Sequence, residues 1–398
     1  MLVLALAGPW LSAAGLAGLD GRRPLVGRLA ALVLVAQLAG LAWLGVDVLR
    51  EGEHEVITGG WPAGVGIVLR ADVLGVAFAF CSSLVLLVAL AYELASGETS
   101  RIFPALVLFE AAGLTGLFLT GDVFSFFVFF ELSMVAAYAL AAHGGEAHQL
   151  GSALIFAVVN LLGSFVFLIA VAAMYHVTGT LEMTEVAARI ADVEPSSAIL
   201  IAATVFVAFG VKLGLFPFHF WLPPVYASSK PAVAAILAGA VANIGAYGLL
   251  RFGAAVLPAE LEFGSAAVAM LGAASIVYGS AQALSRRATS EVLAYSSIGQ
   301  AGYILLALAL GGPAGYAAAV VYSLANSFNK LVLFLAAGAR GPLVGTAFAL
   351  GAFSVAGVPP TAGFLAKLEV FRVSLGTPAL VGLVFLGSAL SFVYMFQI

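Results

Sequence analysis

Residues 151–175 read GSALIFAVVNLLGSFVFLIAVAAMY, an apolar run with no charged side chain. Coiled as a helix, at about 1.5 Å per residue, such a run can cross the roughly 30 Å hydrocarbon core of a bilayer. Its apolar residues are continuous rather than alternating, which argues against a strand of a membrane barrel. Similar runs recur along the chain. We place spans near 1–19, 28–49, 73–95, 102–120, 123–142, 151–175, 198–216, 232–252, 264–284, 292–311, 314–338, 345–371 and 378–398. Backbone groups in lipid must be satisfied within their own segment, so the predicted fold is all-α: a polytopic membrane protein of about 13 transmembrane helices.

Composition points the same way. The chain has 398 residues, 63% hydrophobic and 9% charged, with mean hydropathy +1.13. A soluble domain carries about 25% charged residues, so this chain has too few to cover a water-exposed surface. The net charge of −4 gives no sign of a nucleic-acid partner. The single cysteine, Cys81, excludes an internal disulfide and a cysteine metal cluster. The stretch 1–19 has no basic region ahead of it, and Arg22 and Arg23 follow it, so it reads as a first span and not as a signal peptide. Between spans six and seven, Leu181, Val186 and Ile190 predict a surface-lying amphipathic helix.

Basic residues in the loops set orientation. Odd-numbered connections hold Arg22, Arg23, Arg28, Arg101, Lys230, Arg286, Arg287 and Arg340; even-numbered ones hold Arg50, Arg70, Arg189, Arg251 and Arg372. The bias puts the odd connections in the cytoplasm and the N-terminus outside.

Three of the four lysines, Lys212, Lys330 and Lys367, fall inside predicted spans, as do Glu110 and Glu131. Each such charge costs roughly 2.5–3.5 kcal/mol or more on insertion scales. They are structural ion pairs between helices, groups that snorkel to an interface, or groups placed to titrate. The loops use arginine, which stays protonated, whereas lysine in apolar surroundings can release its proton near neutral pH. That contrast favours titration.

The backbone adds a second signal. Span seven runs into Phe216-Pro217-Phe218-His219, and span twelve contains Gly357-Val358-Pro359-Pro360. Proline removes a donor and breaks the helical ladder, and broken helices at membrane depth line polar cavities in transporters, often at matching places in two repeats. Lys212 precedes one break and Lys367 follows the other. The expected organisation is an N-terminal three-helix segment at 1–100, a first five-helix repeat at 101–255 and a second at 262–398. An odd number of helices per repeat inverts their topology. Asn160, Asn243, Asn326, Asn329, Ser323, Tyr322, Tyr295, Ser296, Ser297, Gln300 and His219 complete a polar route, although such residues also join membrane helices structurally. No histidine or carboxylate spacing predicts a metal ligand set, and no phosphate loop or nucleophile elbow occurs, so no cofactor or metal is expected.

Several motifs carry a family resemblance. They are Thr120-Gly121-Asp122-Val123-Phe124 with Phe129-Phe130-Glu131-Leu132, and Val159-Asn160-Leu161-Leu162-Gly163-Ser164 leading to Thr178-Gly179-Thr180-Leu181. Further along come Lys212 to Pro223, Leu293-Ala294-Tyr295-Ser296-Ser297-Ile298-Gly299-Gln300, and Val358-Pro359-Pro360 through Gly363-Phe364 and Lys367. In this order, over nearly the whole chain, they resemble the antiporter-like proton-translocating family. That family includes Mrp-type Na⁺/H⁺ antiporter subunits, membrane-arm subunits of complex I (NADH:quinone oxidoreductase) and equivalents in membrane-bound hydrogenases. Gly59-Gly60-Trp61-Pro62 through Asp72, and residues 178–183, look most like the D-type subunit of the Mrp antiporters. The resemblance implies proton translocation by Glu131, Lys212, Lys330 and Lys367, with Glu131 and Lys212 as a coupled pair. His219, Asn243, Asn326 and Glu110 are supporting groups.

The chain departs from the family pattern in three places. Asn243 stands where the family usually has a helix-eight lysine. Asn326 stands where helix eleven usually has histidine. The last span lacks a further helix after it, as a fragment or a reduced paralogue does. The expected function is a membrane subunit of a multisubunit Na⁺/proton antiporter in the cell membrane, partnered by other subunits, protons, Na⁺ and the lipid bilayer. The alternatives are a proton-pumping subunit of complex I or a hydrogenase, without a redox site of its own, and a non-conducting structural paralogue.

Overall fold

The computed structural model describes residues 2–60, 66–97 and 100–397; Trp61 and Pro62 of the entry motif lie outside them. The chain opens with α1 (Leu2–Ala17) and α2 (Pro24–Glu51), then a hairpin of β1 (His54–Ile57) and β2 (Val68–Ala71). There follow α3 (Val73–Ser96), α4 (Phe103–Phe118), α5 (Val123–Ala141), α6 (Ala147–Thr178), the short α7 (Met183–Ile190) and α8 (Pro195–Leu213). Next come α9 (Leu222–Ser228), α10 (Pro231–Ile236), α11 (Asn243–Leu250) and α12 (Pro258–Ser285). The chain continues with α13 (Thr289–Leu310), α14 (Gly312–Ala337), α15 (Pro342–Ala356), α16 (Ala362–Ser374) and α17 (Pro378–Phe396).

Among the described residues, 10 helices are long and apolar enough to cross a membrane, counting Pro195–Ser228 and Pro231–Val256 as single spans. Three shorter apolar helices, Leu2–Ala17, Phe103–Phe118 and Pro342–Ala356, stand at the remaining expected positions. The protein is a multi-pass membrane protein. Prolines at the first turns of α2, α10, α12, α15 and α17 start helices where the missing N–H has no intrahelical partner to lose. Asp72 and Asp122 cap α3 and α5 by accepting from Gly75 N at 2.7 Å and Ser125 N at 2.5 Å. Ser196 and Ser197 donate to the Glu194 carboxylate just ahead of α8, and these bonds, Ser196 first, hold Glu194 below the usual carboxylate range.

The chain divides into two compact units: Met1–His143 with Ser164–Val205, and Gly144–Gly163 with Phe206–Ile398. In the first, α4 packs on α1, α3 and α5. A Cβ at Gly113 would come within 2.7 Å of Ser133 N, so α4 and α5 touch backbone to backbone. The hairpin was not anticipated from sequence. It closes that unit as part of a polar platform: Gly121 N donates to Val68 O at 2.9 Å and Met183 N to Gly121 O at 2.8 Å. Arg70 ties β2 to Glu55 and, at 2.9 Å, to Glu182, with a further bond to Thr184. The expected amphipathic helix is α7, which buries Met183, Val186 and Ile190.

In the second unit, α12 and α13 cross on glycines: a Cβ at Gly272 would lie 2.9 Å from Gly302 O. Helix α14 packs against α10, α11, α13, α15 and α16. The span Pro231–Val256 is almost wholly buried, as is α13. Those two helices and α14 carry Asn243, Gln300 and Lys330 in the interior of this unit.

Candidate functional site

Both expected helix breaks are present. Helix α8 ends at Leu213, Gly214 takes φ +70°, and a short 3₁₀ turn at Phe218–Trp221 leads into α9. The Trp221 indole donates to Val211 O at 2.9 Å, replacing a bond that the break removes. Lys212, 2% exposed, sits one residue before the helix end. Its Nζ lies 5.6 Å from the centroid of the Phe156 ring, in a pocket also walled by Trp221, Tyr226 and Val241. The aromatic face offers a cation weak compensation for lost water. His219 stacks on Phe216 (5.6 Å) and meets Tyr278 at a tilt (4.4 Å), and those two rings also touch each other. Its Nδ1 is buried and makes no hydrogen bond among the described residues.

The span after this break is itself irregular. Two π-helical segments, Leu237–Val241 and Arg251–Val256, flank α11. Such segments free carbonyls from the regular ladder and often mark functional sites. Asn243 Nδ2 donates to Gly239 O at 3.1 Å, and Asn243 Oδ1 accepts from Ser327 Oγ at 2.9 Å. One turn further along α14, Lys330 is 0% exposed. Its Nζ donates to Leu293 O at 3.1 Å and to Ser296 Oγ on α13. A charged amine deep in an apolar interior requires such acceptors.

The second break lies between α15 and α16, where Gly357 takes φ +84°. Lys367 on α16 donates to Ser391 Oγ at 3.0 Å and approaches Ala356 O, at the end of α15, at 3.4 Å. Its Nζ stands 5.2 Å from the Tyr303 ring centroid, and Tyr303 stacks on Tyr322 at 5.1 Å. Tyr322 donates to Gln300 Oε1 at 2.5 Å, and Gln300 Nε2 donates to Tyr394 Oη at 2.9 Å. Gln300, Tyr322, Asn326, Asn329 and Lys367 line one small cavity. Gln300 lies one helical turn beyond Ser296, the partner of Lys330.

In the first unit, Glu110 is wholly buried and accepts from Ser133 Oγ on α5. Glu131, two residues before Ser133, has a buried Oε1 with no hydrogen-bond partner among the described residues. Of the other expected groups, Ser297 and Ser323 return hydrogen bonds to their own helices. Asn160 also bonds to its own helix, donating to Phe156 O at 3.0 Å. Tyr295 stands apart from these groups: it accepts from Arg286 at the end of α12, 3.3 Å away.

Sequence reading missed several polar groups. Glu93 and His143, at the ends of α3 and α5, form a buried pair 3.1 Å apart. Arg251, read as a loop residue, is buried within its span and donates to Tyr247 Oη at 3.0 and 2.8 Å. Asp47, Glu51 and His54, spaced by four and then three residues, bring ligand-type atoms within 4.8 Å of one another; His54 pairs with Asp47 at 3.0 Å. Tyr303, Ser391 and Tyr394 read as ordinary span residues because their partners are distant in sequence.

Residues 120–392 match the family described as NADH:quinone oxidoreductase/Mrp antiporter, TM. The D-type Na(+)/H(+) antiporter subunit of Alkalihalophilus pseudofirmus is 32% identical over 359 residues, which cover 85% of this chain and 73% of the relative. A chain of the Mrp complex from Dietzia sp. DQ12-45-1b superposes with TM-score 0.93 at 30% identity, over 100% of this chain and 78% of that one. A chain of the membrane-bound sulfane sulfur reductase, an archaeal respiratory membrane complex, gives TM-score 0.92 at 26% identity, over 100% and 86%. A family match across more than half of the chain, with a relative this similar over most of its length, means that the chain belongs to the NADH:quinone oxidoreductase/Mrp antiporter membrane-subunit family.

Proposed function

We propose that this chain is a D-type membrane subunit of a multisubunit Na⁺/proton antiporter, and that protons pass through it by way of Glu131, Lys212, Lys330 and Lys367. The observation that carries this reading is the placing of Lys330 and Lys367. Both are buried in membrane-spanning helices, both are held by neutral oxygens rather than by carboxylates, and one polar cluster lies between them. A lysine held by hydroxyls and carbonyls can give up its proton without leaving an unpaired acid behind, which a structural ion pair cannot do. Relatives named as D-type Na⁺/H⁺ antiporter subunits favour antiport over redox-driven pumping. The solved relatives are parts of larger membrane complexes, which supports a hetero-oligomeric setting.

The reading extends to three further points. Glu131 and Lys212 act as a coupled pair, the acid setting the charge of the amine. The chain from 101 to 255 and that from 262 to 398 are two inverted repeats behind an N-terminal segment at 1–100. The N-terminus faces outward from the cell membrane, a point that cysteine labelling from each side decides.

The test of the function is direct. Everted vesicles from antiporter-deficient cells that express the whole complex are energised to build a proton gradient, and NaCl is then added. Collapse of the gradient is expected. An assembled complex whose gradient ignores Na⁺ and Li⁺ overturns the antiporter reading.

A further inference from the structure

The Gln300 side chain occupies an unusual place for a proton route. On one side it accepts from Tyr322 at 2.5 Å; on the other it donates to Tyr394 at 2.9 Å. Gln300 is 3% exposed, and both tyrosines are buried. Toward Lys330, Gln300 is one turn from Ser296, which accepts from that lysine. Toward Lys367, Tyr394 is one turn from Ser391, which accepts from that lysine at 3.0 Å. The amide therefore stands between the partners of the two buried amines.

A hydroxyl can accept a proton on its oxygen and release its own, so it hands protons on. An amide held in this way does not. To pass a proton it must be protonated at Oε1 and lose one from Nε2, which leaves an imidic acid that must revert before the next transfer. Either assignment of the amide oxygen and nitrogen gives the same result, because one end accepts while the other donates. The cavity beside Gln300 is lined from α14 by two further amides, Asn326 and Asn329, and from α15 by the hydroxyl of Ser354, which is engaged by Gly363 N at 2.9 Å. Its size admits about one water molecule, and the buried Asn326 Oδ1, without a partner among the described residues, is an acceptor for it.

We propose that Gln300 is the proton gate between Lys330 and Lys367. Clamped between Tyr322 and Tyr394, its amide blocks transfer. Swung out of the clamp, it lets water in the cavity join the two sides. A gate of this kind prevents the two lysines from sharing protons when no cation is exchanged, which is what a coupled antiporter requires. The inference rests on the proposed role of the two lysines in carrying protons.

The test uses the whole complex in liposomes, with a pH difference imposed in the absence of Na⁺ and followed by an enclosed pH dye. Gln300→Glu keeps the side-chain shape but replaces the amide by a group that can accept and release a proton at its oxygens. The gradient is expected to decay at least about tenfold faster than in wild type, a barrier lower by about 1.4 kcal/mol. The leak is expected to vanish when Lys367→Ala is added, because the leak runs through that amine. Should Gln300→Glu fail to assemble, Tyr322→Phe, which removes the donor on Gln300 Oε1, is expected to leak in the same direction. An assembled Gln300→Glu complex as tight as wild type overturns the gate, and so does a leak that survives Lys367→Ala. If Lys367→Ala alone leaves Na⁺-driven exchange intact, the lysine reading falls and takes the gate with it. If Lys367→Ala abolishes exchange while Gln300→Glu stays tight, only the gate falls.

Discussion

Ser327 donates a 2.9 Å hydrogen bond to Asn243, three residues before Lys330 on the same helix. Asn243 stands where the family usually carries a lysine, so the middle of the proposed route is a neutral amide tied to a hydroxyl. Ser327 also donates to Ser323 O at 3.0 Å, which leaves it a partner if Asn243 changes. This point of the proposed route is thus hydrogen-bonded but lacks a group that can titrate.

We expect Asn243→Lys to speed exchange, because it returns a titratable amine beside Ser327, which keeps Ser323 O as a partner. Initial rates of Na⁺-induced gradient collapse check this. A variant that assembles and exchanges no faster than wild type shows that Asn243 is not a bottleneck. Loss of exchange in that variant shows that a neutral group is required there.

Gly363 is expected to be intolerant of change. Its N–H donates to Ser354 Oγ at 2.9 Å, and a Cβ there would run into Ser354 O across the break before Lys367. Gly363→Ala forces α15 and α16 apart, at a cost of about 1–3 kcal/mol for overpacking. The melting temperature of the solubilised complex should fall and exchange should drop with it. Gly345→Ala, on the open side of α15 where nothing lies within 4 Å, is the control and should leave both unchanged.

Glu131→Gln should abolish exchange while the chain still inserts and assembles. The substitution keeps the shape of a side chain whose Oε1 is buried without a hydrogen-bond partner among the described residues, and it removes the charge proposed to act on Lys212. Gradient collapse at the wild-type rate, from vesicles shown to contain the complex, rules out that role.

The spans were legible in the sequence because lipid leaves a long apolar run few alternatives to a helix. The breaks at Pro217 and Pro359-Pro360 were legible because proline cannot continue the ladder. Other features had no local signal. The π segments around Asn243 contain no proline; they flank α11, whose Gly245 and Gly248 pack tightly on Leu213 and Phe209, a matter of tertiary fit. The hairpin His54–Ile57 with Val68–Ala71 is short, and its neighbour at 119–121 is distant in sequence. Glu93 and His143 each lie at the end of an apolar run, where a charge reads as solvated, so only the fold reveals them as a buried pair. Lys330 and Lys367 were found as charges in apolar runs. Their partners Ser296 and Ser391 were not assigned to them, because a serine in a membrane helix gives no direction.

Replacing Lys330 by arginine separates a buried lysine that carries protons from one that supplies a fixed charge. Arginine keeps the charge and can still donate toward Leu293 O and Ser296 Oγ, but it does not release a proton in proteins. The measurement is Na⁺-driven proton movement in vesicles that carry Lys330→Arg, with assembly of the complex verified in the same preparation. An assembled complex with no exchange is expected. Wild-type exchange from that variant would contradict it, because Lys330 would then be an electrostatic fixture.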